Sequence, residues 1–169
     1  KSGLDLRVIN PTAVLGGGFD RPTPSVDFIE DAIRGKIPVS LKIPMSFVHV
    51  KDVAEAHRKA AEIEEANGRY ICAPHVNMTL ADLFKKIKHI FPETKAPQKA
   101  LPNVLLPLAV FQDWIGSKIS KRDRRLTRDM VRGFFQGDAS YDSSKAQNEL
   151  EMDWIDFDTC VKDTVEAFL

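Results

Sequence analysis

The chain has 169 residues, enough for one hydrophobic core or for one core with an attached lobe. Hydrophobic residues make up 43% and charged residues 28%, the proportions of an ordinary globular protein. Lys plus Arg (24) equals Asp plus Glu (24), so the whole chain has no electrostatic pull toward nucleic acid or a membrane surface, and neither is expected as a partner. The most apolar stretch, residues 101–115, is interrupted by Pro102, Asn103, Pro107, Gln112 and Asp113, so no bilayer-spanning run is expected. No basic region followed by an apolar one opens the chain, and a cytoplasmic location is the expectation. Cys72 and Cys160 are far apart and are expected as buried, reduced thiols.

The chain opens with what reads as a helix end, a glycine stop at Gly3, and then a strand. Residues 4–15, led by Leu6, Val8 and Ile9 and closed by Val14 and Leu15, read as a buried strand of a parallel sheet covered on both faces. Gly16-Gly17-Gly18 permits positive φ or close backbone approach. A loop through Pro22 and Pro24 leads to a helix with Ser25 as its expected N-cap and an apolar face of Phe28, Ile29, Ala32 and Ile33, ended by Gly35. Residues 38–44 are a proline-bounded extended segment, and residues 46–50 a short strand. Asp52 is expected as cap or first-turn acid of a helix carrying Val53, Ala56, Ala60 and Ile63 and stopped at Asn67-Gly68. A second buried strand covers residues 69–73, and Thr79 caps a helix with the stripe Leu80, Leu83, Phe84, Ile87 and Ile90. Strand and helix thus alternate through residues 1–92, which implies an α/β layered sheet. Residues 93–169 read as a mostly helical lobe: an apolar helix near residues 105–119, a basic link at 118–128, a short helix near 127–135 and two terminal helices.

Two segments then stand together. One is Val8-Ile9-Asn10-Pro11-Thr12-Ala13-Val14-Leu15-Gly16; the other is Phe47-Val48-His49-Val50-Lys51-Asp52-Val53-Ala54-Glu55-Ala56-His57. They are followed in order by Gly68-Arg69-Tyr70-Ile71-Cys72, Thr79-Leu80-Ala81-Asp82-Leu83, Phe91-Pro92-Glu93, Leu126-Thr127-Arg128 and Tyr141-Asp142-Ser143-Ser144-Lys145-Ala146. Together these segments resemble the second half of an extended short-chain dehydrogenase/reductase. The nearest branch is that of the dihydroflavonol-reductase-like carbonyl reductases. The resemblance covers essentially the whole chain.

The resemblance implies an α/β fold: the C-terminal part of a Rossmann-type parallel sheet, in residues 1–92 with interleaved lobe segments around 17–46, and a small, mostly helical substrate lobe in 93–169. It implies a nicotinamide cofactor, NAD or NADP with NADPH favoured, and a small-molecule carbonyl substrate. By this resemblance Asn10, Pro11 and Thr12 face the nicotinamide carboxamide and nearby phosphate. Ser25 is a phosphate-contacting hydroxyl at a helix start, a natural anion site. Gly16, Phe19 and Pro24 fall on the substrate side. The family usually carries Gly-Pro after the first strand, and Gly16-Gly17-Gly18 departs from it, which loosens that loop.

No catalytic residue is assigned within the chain. The family's phosphate-binding glycines and catalytic Tyr–Lys pair are expected in a missing N-terminal half of the same protein. The chain alone is therefore expected to be inactive, with an open sheet edge that invites that half or a second copy as a homodimer. Tyr141 and Lys145 reproduce the Tyr-x-x-x-Lys spacing, but in the family's terminal segment, where Asp142 or Ser143 caps a helix. His49 and Asp52 are read as building a strand–helix joint. His57, His75 and His89 show no ligand spacing with either cysteine, so no metal is expected. The cluster of Lys118, Lys121, Arg122, Arg124, Arg125 and Arg128 lacks interleaved aromatics and reads as a solvated face. The alternatives are a nucleotide-sugar epimerase or dehydratase on the same scaffold, and a non-catalytic NAD(P)-sensing or interaction protein.

Overall fold

The structure is a computed structural model that describes residues 3, 5–18, 23–120, 127, 129, 132, 133 and 141–169. Its elements in chain order are β1 (Arg7–Pro11), β2 (Ala13–Leu15), α1 (Pro24–Ile33), β3 (Ser40–Leu41), β4 (Pro44–His49), α2 (Val50–Glu62), β5 (Gly68–Cys72), β6 (His75–Thr79), α3 (Leu80–Ile90), β7 (Ala100–Leu101), a single 3-10 turn (Asn103–Leu105), α4 (Leu106–Ser120), α5 (Ser144–Glu149) and α6 (Phe157–Glu166). The α/β class and the parallel pairing match the expectation. β1 pairs parallel with β5, β2 with β4 and β3 with β7, while β6 closes the second sheet antiparallel to β4.

β4 is the wall between two cores. Successive strand residues point to opposite faces, so Phe47 enters one cluster and Val48 the other. The first cluster takes Leu15, the apolar faces of α1 and α3, and Val161 and Val165 of α6. The second takes Ala56 and Ala60 of α2, Tyr70 and Cys72 of β5, and Ala146 and Leu150 at α5. In α3 the stripe Leu83, Phe84 and Ile87 is almost wholly buried, each side chain stabilising by about 1.5–3 kcal/mol. The helix starts in a capping box: the Asp82 N–H donates to Thr79 Oγ1 (3.2 Å) and the Thr79 N–H to Asp82 Oδ2 (3.0 Å).

Several expectations need correction. The single strand over residues 4–15 is two strands with a break at Thr12, and β1 is half-exposed rather than covered on both faces. Pro11 brings no N–H to a ladder, and Thr12 turns the chain so that β1 and β2 find different partners. The cap of α1 is Thr23, not Ser25: Thr23 is extended, its carbonyl accepts from Val26 and Asp27, and Pro24 takes the first helical position, where no N–H is needed. Of the two places expected for Asp52, cap or first-turn acid of α2, it takes the second; the cap is His49, whose Nδ1 accepts from the Lys51 N–H at 3.1 Å. α2 ends at Glu62, five residues before Asn67, and Gly68 (φ +72) instead begins β5. Strand β6 was not anticipated because Asn77, at φ +59, interrupts its alternation, and the pairing with β4 is irregular there.

α4 occupies the expected apolar segment, yet Phe111 and Trp114 stack at 5.9 Å on its surface with 54% and 43% of their area exposed. Of the short helix expected near residues 127–135, the described Asp129, Arg132 and Gly133 are helical, and most of the basic cluster lies outside the described residues. Among the described residues, no helix is long and apolar enough to cross a membrane.

Candidate functional site at the carboxyl end of β1

Ligands of parallel α/β sheets sit beyond the carboxyl ends of the strands. β1 runs parallel to β5 with Asn10 opposite Ile71 and Pro11 opposite Cys72, so Asn10-Pro11-Thr12 is such an end. Asn10 is half-buried, and no hydrogen bond among the described residues uses its side-chain amide. Pro11 is exposed. Thr12 is pinned twice to one atom: its N–H (3.2 Å) and its hydroxyl (3.3 Å) both donate to the Cys72 carbonyl. The break between β1 and β2 is therefore held from the far end of β5.

Three residues on, Gly16 has φ +123 and its N–H donates to Thr164 Oγ1 of α6 at 2.7 Å. A Cβ there would stand 2.7 Å from Val50 Cγ1 and 3.0 Å from His49 Nε2. Gly17 lies as tightly on α6: its Cβ would meet the Asp163 carbonyl oxygen at 2.8 Å. Phe19 lies outside the described residues, and Pro24 and Ser25 occupy the first two positions of α1. Asp27 is an acid in that helix's first turn, where it already meets the positive end of the helix dipole.

Beneath these segments lies a row of buried titratable groups. His49 is fully buried, with Nε2 3.2 Å from Asp163 Oδ2. The Lys51 ammonium donates to the same oxygen at 3.0 Å and holds the Asp163 carboxyl below its ordinary pKa, against some opposing desolvation. Asp52 accepts from the Ile155 N–H (3.2 Å to Oδ2), tying α2 to the chain before α6; burial nonetheless lifts its pKa. His49 and Asp52 thus build the strand–helix joint. Burial pushes the Cys72 thiol up to about 11 and Cys160 to about 12, so both are protonated and unreactive. Cys160 Sγ lies 3.7 Å from His75 Nε2, whose contact to the Ile155 carbonyl is shorter at 2.8 Å. No group of three His, Cys, Asp or Glu side chains among the described residues could hold a metal ion.

Tyr141 and Lys145 do not come together as a proton-donating pair. Lys145 Nζ donates to the Asn67 carbonyl (2.8 Å) and lies 4.5 Å over the Tyr70 ring, while Tyr141 is largely exposed. Asp142 accepts from the Ser144 N–H at 2.8 Å at the start of α5, with Ser143 in the cap position. The buried Tyr70 hydroxyl donates to Glu149 Oε2 (2.9 Å), and burial raises its pKa. A shallow cavity of about 350 Å³, lined by residues such as Arg34, Lys95 and Phe168, includes none of the expected site positions.

Sequence reasoning missed Asp163 and Thr164. The double glycine signals close backbone approach, but nothing local in the sequence says that α6, about 150 residues later, supplies the opposite surface.

No family model matches the chain. It is 36% identical over 104 residues to noscapine synthase SDR1 of Papaver somniferum, covering 60% of this chain and 30% of that protein. The crystal structure of gox2253 is similar at TM-score 0.72 and 26% identity, over 96% of this chain and 48% of that one. The yeast methylglyoxal/isovaleraldehyde reductase Gre2, solved with NADPH, shares the fold at TM-score 0.65 and 17% identity, over 97% of this chain and 43% of that one. The chain thus spans less than half the length of these proteins.

Proposed function

We propose that this chain is part of an extended short-chain dehydrogenase/reductase of the epimerase/dehydratase superfamily, to whose members it is similar, and so of an NAD(P)-dependent oxidoreductase that reduces an aldehyde or ketone. It supplies the nicotinamide-side loop, part of the sheet and the substrate lid. The observation that carries this reading is the register of β1 against β5, which leaves Asn10-Pro11-Thr12 at a carboxyl strand end with the Asn10 amide uncommitted. The residues present fit a carboxamide: Asn10 offers a donor and an acceptor, and Thr12 is too firmly held to swing away. A bound nicotinamide supplies hydride to the carbonyl carbon. Asn10, Pro11 and Thr12 would hold its carboxamide side, with NADPH as the favoured form, and Ser25 the phosphate side. Gly16 would stand on the substrate side of the site, and the expectation for Phe19 and Pro24 rests on the resemblance alone.

The proton for the carbonyl oxygen must come from elsewhere, since Tyr141 and Lys145 are separated and the Tyr70 hydroxyl is buried on Glu149. The half-exposed β1, paired on one side only among the described residues, is where the remaining, dinucleotide-binding half of the enzyme docks. The 169-residue chain alone then neither turns over substrate nor binds cofactor tightly. Saturable tight NADPH binding by the purified chain, followed by nicotinamide fluorescence, would overturn that part of the reading. The whole reading is tested on the protein isolated from its source. An intact mass near twice 19.0 kDa, with NADPH oxidation by a panel of aldehydes and ketones, supports it. A protein of that size inert toward every carbonyl with both NADPH and NADH refutes it.

A further inference from the structure

We propose that Thr164 and Asp163 of α6 are positioning residues for the substrate-side loop, setting where Gly16-Gly17 delivers the chain toward the substrate. The inference rests on the reading that Gly16 belongs to the substrate side. Its physical basis is a three-way joint. The Thr164 hydroxyl is buried and donates its one hydrogen to the Cys160 carbonyl at 2.6 Å, which leaves its lone pairs to accept from the Gly16 N–H at 2.7 Å. A hydroxyl fixed by its own helix in this way fixes the peptide that donates to it.

The next residue is held by shape. With the Asp163 carbonyl 2.8 Å from where a Gly17 Cβ would be, the loop backbone lies directly on the helix. The Asp163 side chain extends the joint to a third element, meeting Lys51 Nζ at 3.0 Å and His49 Nε2 at 3.2 Å, and His49 is the cap of α2. Gly16 has no room for a side chain against His49 and Val50. Gly18, one residue beyond the joint, has φ +83 and nothing among the described residues within 4 Å of its Cβ position. Among the described residues the contact ends at Gly17. Two glycines are fastened by α6, so that helix, rather than the loop's own sequence, decides where the loop starts.

The first test is amide hydrogen exchange of the 169-residue chain, residue by residue, in wild type, Thr164→Val and Thr164→Ser. The valine keeps the shape and removes the acceptor. The expected result is faster exchange at Gly16 by about tenfold or more, unchanged protection in β5 and α3, and restoration by serine. Unchanged Gly16 exchange in a folded Thr164→Val chain overturns the proposal, as does failure of serine to restore it. Asp163→Asn provides a second variant that keeps the helix surface while weakening the Lys51 tie; it is expected to loosen Gly17 more than β5, and equal loosening of both counts against the joint. The second test uses the complete reductase. There Thr164→Val is expected to raise KM for the carbonyl substrate several-fold while leaving KM for NADPH unchanged, and an unchanged substrate KM overturns the positioning role. Absence of any reductase activity in the wild-type complete protein instead defeats the reading of function, and the exchange result then stands by itself.

Discussion

Thr12 gives both of its donors, the backbone N–H and the side-chain hydroxyl, to the single carbonyl oxygen of Cys72. That pair of hydrogen bonds to the end of β5 holds the break between β1 and β2. Thr12→Val keeps the β-branched shape and loses the hydroxyl. A cost of about 0.5–1.5 kcal/mol is expected, with Thr12→Ser recovering most of it. Urea unfolding of the three proteins measures it, and equal midpoints for Val and Thr would show that the backbone bond alone holds the break.

Arg7 stops α2 from the outside. Its Nη1 donates to the carbonyls of Ala60 (2.5 Å) and Ile63 (2.9 Å), and its Nη2 is held by Asp5 at 2.7 Å. A planar guanidinium can serve several end-carbonyls at once and meets the negative end of the helix dipole, whereas an ammonium serves them one at a time. Arg7→Met is expected to lower Tm, with Arg7→Lys intermediate, and to speed exchange in the last turn of α2 before any other element. A thermal melt in which Lys matches Arg would reduce the role of Arg7 to charge alone.

Asp52 and Asp163 should answer pH in opposite directions. Burial raises the Asp52 pKa above its ordinary 3.8, so the folded state holds the proton more tightly than the unfolded one. Asp52 therefore subtracts stability as pH rises from about 3.8 through its raised folded value. Asp52→Asn keeps an acceptor for the Ile155 N–H and is expected to remove that downward slope. Asp163 is depressed by Lys51, so its contribution is complete above 3.8 and is lost as pH falls through its lower folded value. Asp163→Asn is expected to flatten the acid limb. Denaturant midpoints measured between pH 3 and 7 (roughly the carboxylate range) check both signs, and an Asp52→Asn chain with the wild-type slope would contradict the first.

Gly17 and Gly18 should tolerate alanine differently. At Gly17 the new methyl would stand 2.8 Å from a backbone oxygen that cannot step aside, and an overpacking cost of about 1–3 kcal/mol is expected. At Gly18 no described atom stands within 4 Å and only the positive φ objects, at about 1–2 kcal/mol. Calorimetric Tm values that rank Gly18→Ala below Gly17→Ala would reverse this argument.

Cys72 and Cys160 are buried, with thiols pushed up to about 11 and about 12. Neither is expected to react with an aromatic disulfide reagent in the native chain at pH 8, and both should react at once in denaturant. Native reactivity of either thiol would mean that its core opens readily.

Much of the fold is legible locally. The stripe of α3 and its Thr79 cap, the glycine freedom at residues 16 and 18, and the parallel α/β class all rest on periodicity and turn chemistry, which are properties of neighbours in sequence. The expectations that changed did so where a distant group competed. Ser25 yielded to Thr23 because Pro24 is suited to the first helical position. The Asn67-Gly68 stop yielded to an earlier end of α2, to whose carbonyls Arg7 donates. β6 was invisible because one residue at positive φ breaks the alternation by which strands are recognised.

The sequence by itself determined which segments are strands and helices of an α/β layer, and carried the order of motifs that resembles the extended short-chain dehydrogenase/reductases. The tertiary structure alone decided which surface each motif meets. Thr12 ends on Cys72, Gly16 on Thr164, and His49 beside Asp163, across separations of 60, 148 and 114 residues. Backbone propensity and hydrophobic period act over a few residues, whereas a hydrogen bond or a steric contact depends only on distance in space. The position of the loop therefore depends on the packing of α6 against β2 and β4.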